Sequence, residues 1–183
     1  MPYRRNHYVP EWYQKRFFPS NEGERKFYYL DLNPDRVTSN GHAYTRNELL
    51  RWGVDNCFCQ DDLYTTSPWV TGDPTVMEER FFGGVDALGK KAVEYFGNFE
   101  HPRYENEAFQ PMLMYLTVQK LRTPKGLEYL AAVAKTNQQD TVLLALTELQ
   151  AVYCAIWTEC IWCILDASQS STKLILSDHP VTV

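Results

Sequence analysis

The 183-residue sequence has no long hydrophobic run, because no window reaches the ~18 continuous apolar residues of a membrane span. Residues 1–7 carry basic side chains without an apolar stretch behind them, which argues against a signal peptide. Five cysteines are too few, and odd in number, for a disulfide scaffold. These absences favour a cytoplasmic protein with reduced thiols and no membrane partner.

The motifs of several large enzyme classes are also missing. The sequence contains no Gly-x-x-x-x-Gly-Lys loop, no Gly-x-Gly-x-x-Gly, no His-Glu-x-x-His and no Gly-x-Ser-x-Gly. This argues against a P-loop nucleotidase, a Rossmann oxidoreductase, a zincin and an α/β-hydrolase. The pairs Cys57/Cys59 and Cys160/Cys163 could offer four thiolates to zinc, but their apolar and aromatic neighbours favour buried thiols instead. No metal site is predicted, and the sequence indicates no particular cofactor.

Positive charge is scarce overall, since the net charge is −5 and the isoelectric point is about 5.4. Such a chain has no general attraction for phosphate backbones, so the net charge does not support a nucleic-acid partner. Two compact basic clusters are present: Arg4-Arg5 with Lys15-Arg16, and Lys120-Arg122-Lys125. Each is small enough to be a solvated face. A partner protein or self-association remains open.

The length suits a single domain, residues 1–183, with its own core. We expect an irregular first part, 1–70, with a strand at Lys26–Leu32 and a short helical turn at Asn47–Trp52. Apolar periodicity predicts a helical bundle over 73–160, and a change of period predicts a β-hairpin over 161–183. The fold class is therefore α+β, mainly α: an antiparallel helical bundle with a small β-sheet formed by the N-terminal strand and the C-terminal hairpin.

The bundle is expected to contain four helices joined by short connections. They are predicted to span residues 73–96, 106–122, 125–138 and 140–159. Four apolar side chains should be buried between them: Leu116, Leu149, Val152 and Ile156. The chain stops inside an apparent strand, Val181–Val183, which is typical of a C-terminally incomplete domain.

Three short motifs follow one another along the chain. They are His7-Tyr8-Val9-Pro10 with Tyr13 and Arg16-Phe17; Met77-Glu78-Glu79 with Lys120-Leu121-Arg122-Thr123-Pro124; and Ser177-Asp178-His179-Pro180. In this order they resemble a bacterial family of unknown function, the one numbered 4238. That family usually has asparagine where His179 stands, and it continues beyond the last motif. The resemblance implies no activity.

Five side chains are candidates for a site. His7 and the pair Asp178-His179 have the chemistry of acid–base catalysis, with backbone hydrogen bonding and an Asx turn as the structural alternatives. Arg122 could clamp a phosphate or carboxylate, or cap helix carbonyls. Asp31, at the end of the predicted early strand, is a ligand-binding candidate with the same ambiguity.

Two functional hypotheses follow from these residues. The first is a hydrolase, phosphodiesterase or nuclease-like, with His7, Asp178 and His179 as catalytic residues and Arg122 as anion clamp. The alternative is a non-catalytic interaction module that binds a partner protein. We also predict that the two ends of the chain meet, with the Lys26–Leu32 strand near the terminal hairpin. His7 should then hydrogen-bond Asp178 directly or through one water.

Overall fold

The computed structural model describes residues 5–20, 23–98 and 106–182. It is 49% helical and 13% strand, so the α+β, mainly α class predicted from the sequence is confirmed. The strands lie in the N-terminal third of the chain, and the long helices follow them.

The described residues of the N-terminal part of the chain form six short strands. They are β1 (Arg5–His7), β2 (Phe27–Leu30), β3 (Arg36–Ser39), β4 (His42–Thr45), β5 (Leu49–Trp52) and β6 (Cys59–Asp61). They pair as three separate antiparallel two-stranded sheets, β1 with β6, β2 with β5 and β3 with β4. A short helix, α1 (Glu11–Gln14), continues as a 3-10 turn over Lys15–Phe17, and a second 3-10 turn spans Val54–Asn56.

The predicted early strand is confirmed as β2, but its partner is not the end of the chain. It pairs with β5, in the register Phe27 to Trp52, so the helical turn predicted at 47–52 is wrong. The rings of Tyr29 and Trp52 stack across this pair, with centroids 5.0 Å apart and planes 18° apart. Cross-strand aromatic contacts of this kind stabilise a strand pair, which explains why the segment is extended.

The helical part begins with a short helix, α2 (Pro68–Thr71), and a π-helical turn, Met77–Phe82. Four long helices follow: α3 (Gly83–Gly97), α4 (Asn106–Leu121), α5 (Pro124–Ala134) and α6 (Gln139–Thr158). The four predicted helices are therefore present, with α5 ending earlier than expected. Helix α4 packs against α3, α5 and α6, which makes it the central helix of the bundle.

The core of the bundle draws on fewer turns of α6 than predicted, although Leu149 packs partly buried against it. Val142, Leu143 and Leu146 are buried, whereas Val152 and Ile156 are 52% and 50% exposed, so their predicted burial is wrong. The first turns of α6 pack on the core, and Ile156 lines a surface cleft instead. Within the described residues, α6 is the one helix whose length and apolar composition would suffice to cross a membrane.

The C-terminal segment differs most from its prediction. Residues 161–182 contain no strand or helix, so the hairpin, and the sheet it was to form with the N-terminal strand, are wrong. Leu165, Leu174 and Ile175 are 83%, 76% and 89% exposed, so no apolar face of a hairpin is covered. A two-stranded hairpin needs such cover to be stable. The segment is held instead near its end, where Leu176 packs against the buried cluster that contains Val9 and Phe27.

The cysteines follow their prediction only in part. Cys57 is buried and Cys59 is half-buried, but Cys160 and Cys163 are exposed, so the buried thiols expected for the second pair are wrong.

Candidate functional site

A buried guanidinium lies where the N-terminal segment meets the helical bundle. Arg122 is only 1% exposed, and its Nε donates to the carbonyl oxygen of Tyr8 at 3.2 Å and to Gln119 Oε1 at 3.1 Å. Its Nη2 donates to the same Gln119 oxygen at 2.7 Å, and Nη1 donates to Asp86 Oδ2 at 3.0 Å. We call Arg122 and these three partners the Arg122 centre. Its nitrogens are bonded inside the protein, so the guanidinium does not present a free face to a ligand.

Two carboxylates share this environment. Burial raises the pKa of Asp86, although the neighbouring Arg122 opposes the shift. Burial also raises the pKa of Glu78 to about 7; Arg122 opposes this and Asp86 adds to it. Asp86 Oδ1 lies 3.0 Å from Arg122 Nη2 without an aligned hydrogen bond, and Glu78 Oε2 is buried with no protein partner in the described residues. The centre is therefore ion-paired but incompletely hydrogen-bonded.

The three sequence motifs come together around Arg122. The first motif contributes the Tyr8 carbonyl, which also accepts a 2.7 Å hydrogen bond from Gln119 Nε2. The last motif is joined to the residue after Arg122, because Thr123 Oγ1 and His179 Nδ1 are 2.7 Å apart. The middle motif approaches through Glu78, whose carboxylate interacts electrostatically with Arg122. Motifs more than a hundred residues apart in sequence are thus neighbours in space.

The ends of the chain do approach each other, but not through the predicted pair. Asp178 lies near the phenols of Tyr8 and Tyr29, whose pKa values are raised first by burial and further by nearby negative charge including Asp178. His7 Nε2 lies 3.0 Å from the carbonyl oxygen of Val54, so the direct His7–Asp178 hydrogen bond is wrong. This contact is a hydrogen bond to the backbone, which is the structural alternative given above for His7.

The fifth candidate, Asp31, lies just after β2. Its Oδ1 accepts a 3.0 Å hydrogen bond from the Asn33 amide, and its own amide donates to the Glu48 carbonyl at 2.8 Å. This is an Asx turn that closes the β2–β5 pair. Of the five sequence candidates, Arg122 therefore lies in the core, His7 and Asp31 make backbone contacts, and Asp178 is exposed. Only His179 lines the cleft described next.

A cleft of about 500 Å³ opens where the end of α4, helices α5 and α6 and the terminal segment meet. Lys120, Lys125 and His179 supply its polar side, and Tyr129, Tyr153 and Trp157 supply an aromatic side. We call it the cationic cleft. Its volume is within the range of small-molecule sites.

His179 is held at the edge of this cleft by the cap of α5. The Thr123 hydroxyl accepts a 3.1 Å hydrogen bond from the Gly126 amide and contacts His179 Nδ1. A Cβ at Gly126 would overlap the carbonyl oxygens of Lys120 and Leu121, so the tight turn between α4 and α5 requires glycine. That turn is what places both lysines on the same cavity.

Burial and nearby charges together shift the pKa of the His179 imidazole. Burial lowers the pKa of His179, the positive charges of Lys120 and Lys125 lower it further, and Asp178 opposes them. An imidazole with a lowered pKa is uncharged at neutral pH. The cleft thus combines two ammonium groups with a neutral ring that can donate or accept one hydrogen bond.

Sequence reasoning did not identify most of this cleft. It treated Lys120 and Lys125 as a solvated face, and it gave no role to the aromatic residues of α5 and α6. A local signal exists in the spacing of Tyr153 and Trp157, which lie one helical turn apart on α6 and so share a face. Asp86 carried no signal, because its partner is 36 positions away in sequence.

Comparisons of this chain with protein-family models, with curated proteins and with solved structures find no match.

Proposed function

We propose that this protein binds a small anionic ligand with a flat apolar body in the cationic cleft. The observation that carries the proposal is that Lys120, Lys125 and His179 line one cavity together with the aromatic side chains of α5 and α6. Pockets with an apolar lining and a few converging polar groups are the usual form of small-molecule sites.

The positive charge of the cleft has no ion-pair partner in the part of the chain that the structure describes. Neither Lys120 nor Lys125 forms an ion pair or a side-chain hydrogen bond in the described part of the chain. Both lysines line the same cleft as His179, and their positive charges lower the pKa of that ring. A carboxylate or phosphate bound there would offset that repulsion and gain charge-assisted hydrogen bonds.

The aromatic wall favours a flat apolar body. Burial raises the pKa of Tyr153 and the neighbouring Tyr129 raises it further, so the two phenols lie close together on this wall. Trp157 adds an indole one turn from Tyr153. Aromatic side chains bind planar groups by offset stacking or edge contacts, in addition to area burial.

A second candidate is a hydrolase acting on a phosphodiester; unlike the arrangement predicted from the sequence, it uses His179 with Lys120 and Lys125 and does not need His7, Asp178 or Arg122. It is favoured by one observation, the lowered pKa of His179, since a neutral imidazole beside two lysines can accept a proton while they hold an anion. The two candidates require different tautomers. If Thr123 donates to Nδ1, the proton resides on Nε2 and the ring serves as a donor to a bound anion; if Nδ1–H donates to Thr123, Nε2 is free to act as a base.

Calorimetric titration with 2-naphthoate and 2-naphthyl phosphate tests the binding proposal, with neutral 2-naphthamide as the uncharged comparison. We expect both anions to bind and the amide to bind more weakly. The Lys120→Gln/Lys125→Gln double variant should lose affinity by about tenfold or more, because two charge-assisted contacts are removed. The control variant Lys90→Gln/Lys91→Gln removes the same charge from the exposed side of α3 and should leave affinity unchanged.

Equal binding of the anions and the amide, or equal loss in both double variants, would contradict the proposal. The hydrolase candidate is tested with bis(p-nitrophenyl) phosphate as substrate. Turnover that disappears in His179→Gln but persists in His7→Gln would support it. Binding without turnover would leave a non-catalytic binding protein.

Three further expectations from the sequence stay proposals. Membership of the family numbered 4238 is supported by the meeting of the three motifs around Arg122. A cytoplasmic location is supported by the reduced cysteines. The interaction-module alternative is supported by the exposed apolar side chains Ile161, Leu165 and Ile175.

A further inference from the structure

Another cavity, of about 440 Å³, opens between strand β6, helix α5 and the start of α6. Asp61, Asp62 and Glu128 line it with carboxylates, and Leu127 and Ala131 supply apolar surface. We call it the acidic groove. We propose that it binds an extended, positively charged segment of a partner protein, and that this segment pairs with the free edge of β6.

The acidic groove and the cationic cleft lie on opposite sides of α5. Leu127 and Ala131 are one helical turn apart and line the groove, whereas Lys125 and Tyr129, also one turn apart, line the cleft. The two pairs are offset by two residues, which on an α-helix is a rotation of about 200°. A partner can therefore occupy the groove without entering the cleft, and the proposal stands or falls separately from the proposed function.

The charged side chains that line the acidic groove are all negative in the described part of the chain. Asp61 has one ion pair, with Arg5 Nε at 3.8 Å; both side chains are at least half exposed, so the pair contributes little stability and can be exchanged for a ligand. Glu128 forms no ion pair or hydrogen bond among the described residues, although Lys135 lines a neighbouring cavity. A cationic segment complements this charge.

Strand β6 offers backbone groups to such a segment. It pairs with β1 alone within the described residues, so its other edge is free. The Tyr8 amide donates to the Phe58 carbonyl at 2.9 Å, which makes these two residues a hydrogen-bonded pair at the end of the β1–β6 ladder. Hydrogen-bonded and non-hydrogen-bonded pairs alternate along an antiparallel ladder. Asp61, three positions after Phe58 and opposite Arg5, therefore directs its amide and carbonyl away from β1.

The free edge of β6 borders the acidic groove. Gln60 and Asp61 both line the groove, although successive side chains of a strand point to opposite faces. A cavity that contacts both lies along the edge of the strand, and no described residue of β1 lines it. The carboxamides of Gln60 and Asn137 also line the groove and form no hydrogen bond with the described residues. Each can donate and accept, as the backbone of an added strand does.

These features define the pattern of the bound segment. An added strand presents alternate side chains to opposite sides. Small apolar side chains at alternate positions suit the apolar surface of Leu127 and Ala131, and lysines or arginines between them suit the carboxylates. Hydrogen bonds to the backbone of β6 supply affinity for any extended chain, and the alternating side chains supply the specificity.

Peptide binding to the intact protein, measured by fluorescence anisotropy, tests the proposal. The probe is a fluorescein-labelled, C-terminally amidated peptide of sequence Val-Lys-Val-Lys-Val. We expect it to bind more tightly than the same peptide with glutamate in place of lysine. A version with N-methylated valines keeps the side chains but loses backbone donors, so it should bind about tenfold more weakly or worse.

Two matched variants test the carboxylates. Asp61→Asn/Glu128→Gln should weaken binding of the lysine peptide by about fivefold, because two exposed charge pairs are lost. Glu148→Gln/Glu159→Gln removes the same charge from exposed positions outside the groove and should leave the affinity unchanged. Circular dichroism checks that both variants remain folded.

Amide hydrogen exchange locates the bound peptide. The Asp61 amide should exchange more slowly when the lysine peptide is bound, because it gains an acceptor. Absence of binding, equal affinity for the lysine and glutamate peptides, full affinity of the N-methylated peptide, or an unchanged Asp61 amide would each overturn the proposal. Protection of this amide that rises with protein concentration, without peptide, would assign the edge to a second copy of the chain and overturn the choice of occupant.

Discussion

Arg122 and the two lysines beside it, Lys120 and Lys125, lie within six residues of one another and have opposite environments. Arg122 is buried and bonded to Tyr8, Gln119 and Asp86. The lysines reach the cleft and have no ion-pair partner among the described residues. A buried cation whose donors are satisfied holds the fold together, whereas unpartnered cations on a concave surface are free to hold a ligand. The positive charge of a side chain does not distinguish these two roles. They differ in whether the charged group has hydrogen-bond or ion-pair partners within the protein.

The largest expected effect is the loss of stability on replacing the buried Arg122. Arg122→Met should destabilise the protein by about 3–5 kcal/mol, because Asp86 is left without its charge partner. Urea unfolding measures this. Lys120→Met is the control and should change stability by less than about 0.5 kcal/mol. The double variant Arg122→Met/Asp86→Leu should recover part of the loss, and the absence of any recovery would contradict the ion-pair explanation.

The same contrast can be tested on α6, whose early turns face the core and whose last turns face the cleft. Leu146 is fully buried, so Leu146→Ala should cost about 2–5 kcal/mol in unfolding free energy. Ile156→Ala should cost clearly less, because this side chain is 50% exposed. Equal losses in denaturant midpoint would show that the inward face of α6 is wrongly assigned.

A smaller effect should come from the carboxylate beside Arg122. The folded-state pKa of Glu78 is raised to about 7, so its contribution to stability is full below pH 4.5 and is lost as the pH rises toward 7. Glu78→Gln should therefore raise the melting temperature at pH 8 by about 2–4 °C, as for roughly 1 kcal/mol. The gain should shrink at pH 5. Glu79→Gln, on the exposed neighbour, should show no such pH dependence.

The smallest expected effect is a change in the pKa of His179 in the cleft. Removing both positive charges in Lys120→Gln/Lys125→Gln should raise the pKa of His179, because burial would then be the main remaining cause of its lowering. An NMR titration of the ring nitrogens reports this pKa directly. Lys90→Gln/Lys91→Gln should leave it in place. A His179 pKa that responds equally to both double variants would mean that the lysines do not share the cleft with it.

The helices were predictable because their apolar spacing and their prolines are local signals, as at Thr123-Pro124 before α5. The β3–β4 hairpin also carried a local signal that was missed: its turn residues Asn40 and Gly41 both have positive φ, 52° and 79°, as Asn-Gly hairpin turns do. The terminal hairpin was wrongly predicted because apolar, β-favouring residues do not supply a partner strand. Strand pairing is a tertiary property, and sequence pattern alone does not establish it.

The candidate site was less predictable than the fold, and for a related reason. The sequence identified Arg122, His179 and the meeting of the chain ends. It could not show that Arg122 faces inward, because that depends on Tyr8, 114 positions away, and Asp86, 36 positions away. It also could not show that Lys120 and Lys125 share a cavity, since this follows from the tight turn at Gly126.

The hydrogen bonds from α4 to the Tyr8 carbonyl also carry a consequence for how the chain is made. The donors, Gln119 and Arg122, are 111 and 114 residues downstream of the acceptor. During synthesis at roughly 5–20 residues per second, the opening segment therefore waits several seconds on the ribosome before its partners emerge. Contacts between residues so far apart in sequence form late, because closing the loop between them costs conformational entropy before the contact contributes any stability. The segment around Tyr8 is thus among the last parts of this chain to dock.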